Sequence, residues 1–269
     1  TRVRSSAASD VYKRQIGNIL LVLGLALVAG GAKRERQQFN RTAASASATT
    51  MALAVIGLVL PAAFAITLKR AQPGAIEQLS LLVAAMLIAG YVLNLLFSLR
   101  THSHLYEGDM TEEGGRGWSI RTSIVVLALS TAGLAVMSEI LVQSIEGAVH
   151  QLGWTELFIG VIFVPIIGNA AEHITAVDQA TKDHMDLSLG IAFGSSLQIA
   201  LLVAPLLVFA SILLGHPMDL LFPGIELIAL AAAVAIATLI TQDGESNWFE
   251  GAQLLIAYGI VGAVFFLYT

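Results

Sequence analysis

Between Pro165 and Pro205 the chain reads PIIGNAAEHITAVDQATKDHMDLSLGIAFGSSLQIALLVAP, an apolar stretch interrupted by polar and ionisable side chains. Asn169, Glu172 and His173 fall inside one apolar run, and Ser195, Ser196 and Gln198 inside the next. On a helix, residues three and four apart share a face, which groups Asn169 with Glu172 and His173, and Ser195 with Gln198. Pro165 and Gly168 lie just upstream of the first group, where a proline can free backbone carbonyls. A carboxylate among amide, hydroxyl and backbone oxygens suits a hard divalent cation such as Ca²⁺, which takes roughly six to eight oxygen ligands. A medium of low dielectric also favours the protonated form of a carboxyl group. Glu172 can therefore hold a metal ion or a proton, and electrostatics disfavours both at once. The chemistry implied is exchange of a cation for protons.

Each residue also has a plainer reading. Asn169, His173, Ser195 and Gln198 could cross-link helices by hydrogen bonds, but a membrane carboxylate such as Glu172 has little structural use without a partner. Glu139 lies near one end of its apolar run, where an interfacial carboxylate and a member of the ion path are both open readings. A metal-dependent enzyme with Glu172 and His173 as ligand or base is a rival. Adjacent residues point about 100° apart on a helix, however, and the HExxH spacing that aligns two histidines is missing. No second cluster completes a zinc site.

The elements that must carry these groups are membrane spans. Of 269 residues, 56% are hydrophobic and only 12% charged, far from the roughly 45–50% and 25% of soluble domains. The mean hydropathy is +0.78. There is no cysteine, so disulfides, thiolate metal sites and cysteine catalysis are excluded. From Arg121 onward the basic residues are Arg121 and Lys182 alone, against twelve acidic ones, a balance that suits a cation and argues against nucleic acid.

Apolar runs at Ile16–Gly31, Thr50–Leu68, Ile76–Leu99, Ile120–Val142, Leu157–Val177, Leu187–Leu214, Leu221–Ile240 and Phe249–Tyr268 give an all-α polytopic membrane protein of about eight transmembrane helices. Most approach the ~20 residues that cross a ~30 Å core. Residues 1–15, TRVRSSAASDVYKRQ, are polar, resemble translated adaptor sequence, and are expected to be a non-native leader. The acidic, glycine-containing segment 100–120 separates three spans (16–99) from five (121–269). Loops after the odd-numbered spans hold Lys33, Arg34, Arg36, Arg41, Arg100, Arg116, Arg121 and Lys182, whereas the other side holds Lys69 and Arg70. The positive-inside rule puts the odd loops and the acidic linker in the cytoplasm of a multi-pass protein, expected in a prokaryotic plasma membrane.

A weak internal repeat is visible. Gly17-Asn18 before ILLVLGLALVAGG matches Gly194–Leu214, with Asn18 in the register of Gln198, and two spans follow each. Repeats of five spans have opposite orientation, and such inverted repeats place their substrate near the midplane.

Several motifs resemble the Ca²⁺/H⁺ antiporter (CAX) family of the cation/Ca²⁺ exchanger superfamily. They are GNAAEH at Gly168–His173, KDHMDL at Lys182–Leu187, GSSLQIAL at Gly194–Leu201, DGESNWFEG at Asp243–Gly251 and THSHLYE at Thr101–Glu107. The resemblance runs from Ile16 to the end. It implies two inverted five-helix repeats plus an extra N-terminal helix, joined by an acidic cytoplasmic linker. It also implies an ion-binding glutamate at Glu172 beside Asn169 and His173, polar partners at Ser195 and Gln198, and a first-repeat counterpart at Asn18. No cofactor is expected; Ca²⁺ and H⁺ are cargo, and oxygen ligands would serve Mn²⁺ or another divalent cation as well. A Na⁺-coupled or Mn²⁺-preferring exchanger is the alternative within the superfamily. The family's second GNxxE-like helix has no match here, since Thr1–Gln15 stands in its place, and Gly17 replaces a usual serine. The expectation is therefore a truncated exchanger in which this chain alone lacks one of the two site-building glutamate helices and cannot complete the exchange cycle.

Overall fold

A computed structural model describes residues 13–67, 74–106, 118–152, 166, 169–215 and 218–267. Its described part is built from eight helices. These are α1 (Lys13–Gly31), α2 (Arg41–Thr67), α3 (Ala75–Thr101), α4 (Ile120–Leu152), α5 (Ala170–Thr181), α6 (Met185–Leu213), α7 (Gly224–Ile240) and α8 (Trp248–Leu267). Among the described residues α1, α2, α3, α6 and α8 are long and apolar enough to cross a membrane, and α7 and the first part of α4 are shorter apolar helices. The run predicted at Leu157–Val177 lies partly outside the described residues, as do Pro165 and Gly168 and most of the acidic linker. Leu82, Met86, Leu93, Ile124 and Leu127 are exposed on α3 and α4, as lipid-facing positions require.

Loop contacts bear out the alternation of sides. A two-residue strand β1 (Gln37–Gln38), after α1, pairs antiparallel with β2 (Glu245–Ser246), after α7. In the same region Arg36 pairs with Glu245 at 3.0 Å, and the Arg41 Nε donates to the Gln242 carbonyl at 2.7 Å. The loop after α5 joins them. The Arg34 guanidinium donates to the carbonyls of Gly30 (2.9 Å) and Thr181 (3.0 Å) and meets the Asp183 carboxylate at 3.2 Å, while the Asn40 backbone N–H donates to Asp186 at 2.6 Å. On the opposite side the Leu220 N–H donates to Ser80 Oγ at 3.2 Å, linking the loop before α7 to the start of α3. Among the described loops, those after α1, α5 and α7 meet one another, and the loop before α7 meets the start of α3.

Asp183 adopts φ +72 immediately after α5, the left-handed conformation that ends many helices. Arg34 then supplies a cation to the negative end of the α5 dipole. Helix α1 packs chiefly on α8 and α5, with Ile19, Leu23 and Leu27 fully buried. Glycines permit this: a Cβ on Gly30 would lie 2.7 Å from the Ala180 carbonyl oxygen, and one on Gly251 2.7 Å from Leu27 Cβ and 2.8 Å from the Gly24 carbonyl oxygen. Close backbone approach of this kind is a main source of helix association in a bilayer, where burial of apolar surface gives little drive.

The weak repeat has a structural counterpart. Three of the described helices contain π-helical turns, at Gly17–Val22 in α1, Phe97–Thr101 in α3 and Ile199–Val203 in α6; the first and last begin within a residue of the matched pair Asn18 and Gln198. In α6 the turn directly precedes Pro205, whose missing N–H and ring clash disturb the normal ladder.

Gly251→Val should cost about 1–3 kcal/mol through overpacking against α1. Gly259→Val, where a Cβ meets nothing within 4 Å, is the control. Thermal unfolding in detergent should show a lower midpoint for the first substitution only; equal midpoints would contradict the close α1–α8 contact.

Candidate ion-binding site

Helix α5 begins at Ala170, and Asn169 is its N-cap with φ −114 and ψ 18. Of the run expected as one helix, Asn169 has non-helical backbone, and Glu172 and His173 lie in the first turn of α5 that follows it. Asparagine favours this position because its side chain can satisfy the free N–H groups of the first turn. Asn169 makes no such capping bond. Its Nδ2 instead donates to Asn18 Oδ1 at 2.9 Å, a buried bond between residues 151 apart. Helix α1 is thereby joined to α5 at the two residues that resemblance and internal repeat had separately marked.

Around this bond the packing is tight and incompletely satisfied. Asn18 is 0% exposed and Asn169 5%. Among the described residues Asn18 Nδ2 and His173 Nε2 are buried without hydrogen-bond partners. Glu172 is half-buried in the first turn of α5, where the helix dipole favours a carboxylate. The Asn-x-x-Glu spacing could also make a capping box, but no side-chain capping bond forms. The Glu172 carboxylate bonds to none of the described residues.

Depth places the remaining groups. At 1.5 Å per residue, Asn169 lies about 18 Å along α5 from Thr181, Asn18 about 20 Å along α1 from Gly31, and Gln198 about 20 Å along α6 from Met185. All three start from the same loop face, so they lie at similar distances along their helices from it, as one polar layer. Within that layer the structure does not bond Ser195 or Gln198 to the asparagine pair. Ser195 is half-buried and Gln198 exposed, on a face of α6 where Cβ atoms on Gly190 and Gly194 would meet nothing within 4 Å. The neighbouring Ser196 is buried and donates to the Ala192 carbonyl at 3.0 Å. Glu139 belongs to α4, and its side chain lies outside the described residues.

Sequence reasoning missed Glu226, which is 4% exposed in the first turn of α7. Its signal was available: like Glu172 it interrupts an apolar run, three residues after Pro223. Among the described residues no group of three or more His, Asp or Glu side chains could by itself hold a metal ion.

Comparison with known proteins gives the lineage. Residues 12–100 and 122–267 match the sodium/calcium exchanger protein family. This chain belongs to that family. Among curated relatives of this exchanger, the Ca²⁺/H⁺ antiporter of Aphanothece halophytica is 44% identical over 268 residues, covering 94% of this chain and 72% of the relative. The Ca²⁺/H⁺ antiporter ChaA of Bacillus subtilis is 42% identical over 257 residues, with the same coverage of 94% and 72%. The solved structure of native YfkE superimposes with a TM-score of 0.80 at 37% identity, covering 98% of this chain and 76% of that one. These matches make the exchanger an integral membrane protein with the exchanger fold. Its relatives are antiporters, which sets aside the metalloenzyme reading.

Removing one asparagine strands the other in a buried setting, whereas removing both strands neither. In detergent unfolding, Asn18→Ala and Asn169→Ala should each destabilise. The double substitution should cost less than their sum, by on the order of 1 kcal/mol. Strict additivity would show that the bond contributes nothing.

Proposed function

We propose that this exchanger moves Ca²⁺ out of the cytoplasm in return for H⁺, with Glu172 as the seat that the two cargoes share. The observation that carries the reading is the buried Asn18–Asn169 bond, which fixes a polar layer beside a carboxylate that bonds to no described residue. The names of the relatives, Ca²⁺/H⁺ antiporters in two bacteria, support the cargo.

The chemistry follows from the ligands. Ca²⁺ exchanges its hydration shell readily for carboxylate, amide and hydroxyl oxygens. Glu172 would supply the charge, and Asn169 and Asn18 the neighbouring amides, with Ser195 and Gln198 at the same depth on α6. His173 adds a ring nitrogen next to the carboxylate. A protonated Glu172 has lost the charge that attracts the metal, so loading one cargo expels the other. Alternating access then requires one repeat to move against the other about this layer. The odd loops, rich in lysine and arginine, would face the cytoplasm of a prokaryotic plasma membrane.

In a full-length protein carrying this sequence, reconstituted in liposomes, Glu172→Gln should abolish ⁴⁵Ca²⁺ uptake driven by an imposed pH gradient while leaving expression and folding intact. Retained uptake would remove Glu172 from the mechanism.

A further inference from the structure

A groove of ≈ 810 Å³ lies between α2 and α3, and no residue of α1 or α5 lines it. Its α2 wall is one helical face, from Arg41 through Ser45 and Thr49 to Leu53, and its α3 wall runs from Phe97 through Asn94 to Gly90. Arg41 begins α2 at the odd-loop face, and Leu53 lies about 18 Å deeper along the helix. The lining therefore changes with depth: a guanidinium at the membrane surface, then hydroxyl and amide groups, then Leu53, Gly90 and Leu93.

Of the polar side chains in this groove, Thr50 donates to the Ala46 carbonyl at 2.7 Å, and most of the others make no side-chain hydrogen bond to the described residues. Arg41 Nε is held by the Gln242 carbonyl, which fixes the guanidinium, yet among the described residues Arg41 has no ion-pair partner. No side-chain hydrogen bond joins Thr42, Ser45, Thr49 or Asn94 to another described side chain, apart from the Asn40 cap that serves the Thr42 backbone N–H. Leu53 and Leu93 are exposed at 45% and 64%. A cation at the interface, uncommitted hydroxyl and amide groups below it and an apolar floor deeper still match one kind of molecule, an amphiphile with an anionic head and hydrocarbon tails.

We infer that this groove binds one anionic phospholipid, its phosphate on Arg41, its glycerol region along Ser45, Thr49 and Asn94, and an acyl chain over Leu53, Gly90 and Leu93. Charge complementarity also sets the leaflet. Arg41 belongs to the loop face with the excess of lysine and arginine, the face that the positive-inside rule turns toward the cytoplasmic leaflet. Basic pockets between helices on that side are a recurring form of headgroup recognition. Gly90 gives the chain room, since a Cβ there meets only Leu53 Cδ2, at 3.4 Å.

The test titrates dioleoyl phosphatidylglycerol or dioleoyl phosphatidylcholine into the purified protein in detergent and follows the unfolding midpoint, which rises with any ligand of the folded state. Phosphatidylglycerol should stabilise saturably and phosphatidylcholine at least tenfold more weakly. Arg41→Gln, which removes the charge, and Gly90→Leu, which fills the chain path, should each weaken phosphatidylglycerol at least fivefold. Equal effects of the two lipids, or undiminished binding in both variants, would overturn the proposal. Stabilisation by glycerol 1-phosphate at the same concentrations would show a free-anion site and also overturn it. So would an Arg41→Gln protein that loses the same stability with and without lipid, since that result gives Arg41 to the acidic segment 107–113.

Discussion

A hydrogen bond between two asparagine side chains, Asn169 Nδ2 to Asn18 Oδ1, sets the terms for the rest of the exchanger. In hydrocarbon an amide without a partner is costly, so each asparagine holds the other in place. The bond pulls the start of α5 against α1 at one depth, and that depth becomes the polar layer of the molecule. Asn169 donates its Nδ2 to Asn18, and its Oδ1 caps no N–H of its own helix among the described residues. The first turn of α5 keeps its positive end open, beside the carboxylate of Glu172. A helix end and a carboxylate in the middle of a membrane are each poor solutions for stability and good ones for holding and releasing an ion.

The same two helices are tied again where they reach the loops. Arg34 binds Gly30, Thr181 and Asp183 together, and the glycine approach of Gly30 to Ala180 lets the backbones touch. Helices α1 and α5 are thus held at two levels about 18 Å apart. Elements fixed at two points move as one body, so relative motion during exchange should fall at other boundaries of the fold. The face of α6 bearing Ser195 and Gln198 is the natural candidate, being the part of the layer that bonds to nothing described.

Much of this was legible in the sequence because a bilayer imposes few solutions. Apolar runs had to be helices, and lysine and arginine asymmetry had to sort the loops; the contacts of Arg36 with Glu245 and Leu220 with Ser80 follow that sorting. A π-helical turn begins beside both Asn18 and Gln198, as another does at Phe97 in α3. Other features could not be read. Hydropathy reports depth and leaves the neighbour unspecified, so the partner of Asn169 was hidden although both asparagines had been marked. A continuous helix was the local expectation, and the start of α5 at Ala170 was not visible in the hydropathy. Glu226 escaped notice for a related reason: a carboxylate near Pro223 at the end of an apolar run looks interfacial until packing buries it.

If Glu172 is one seat for two cargoes, metal and proton must compete there, and affinity for the metal must depend on pH through that residue. The direct measurement is Ca²⁺ binding to a full-length protein carrying this sequence, by calorimetry across a range of pH, with and without Glu172→Gln. Each proton displaced by the metal weakens apparent affinity by up to about tenfold per pH unit on the acid side. The account predicts that slope in the unsubstituted protein, and weak, nearly pH-independent binding after Glu172→Gln. An unchanged affinity and slope in the substituted protein would contradict it.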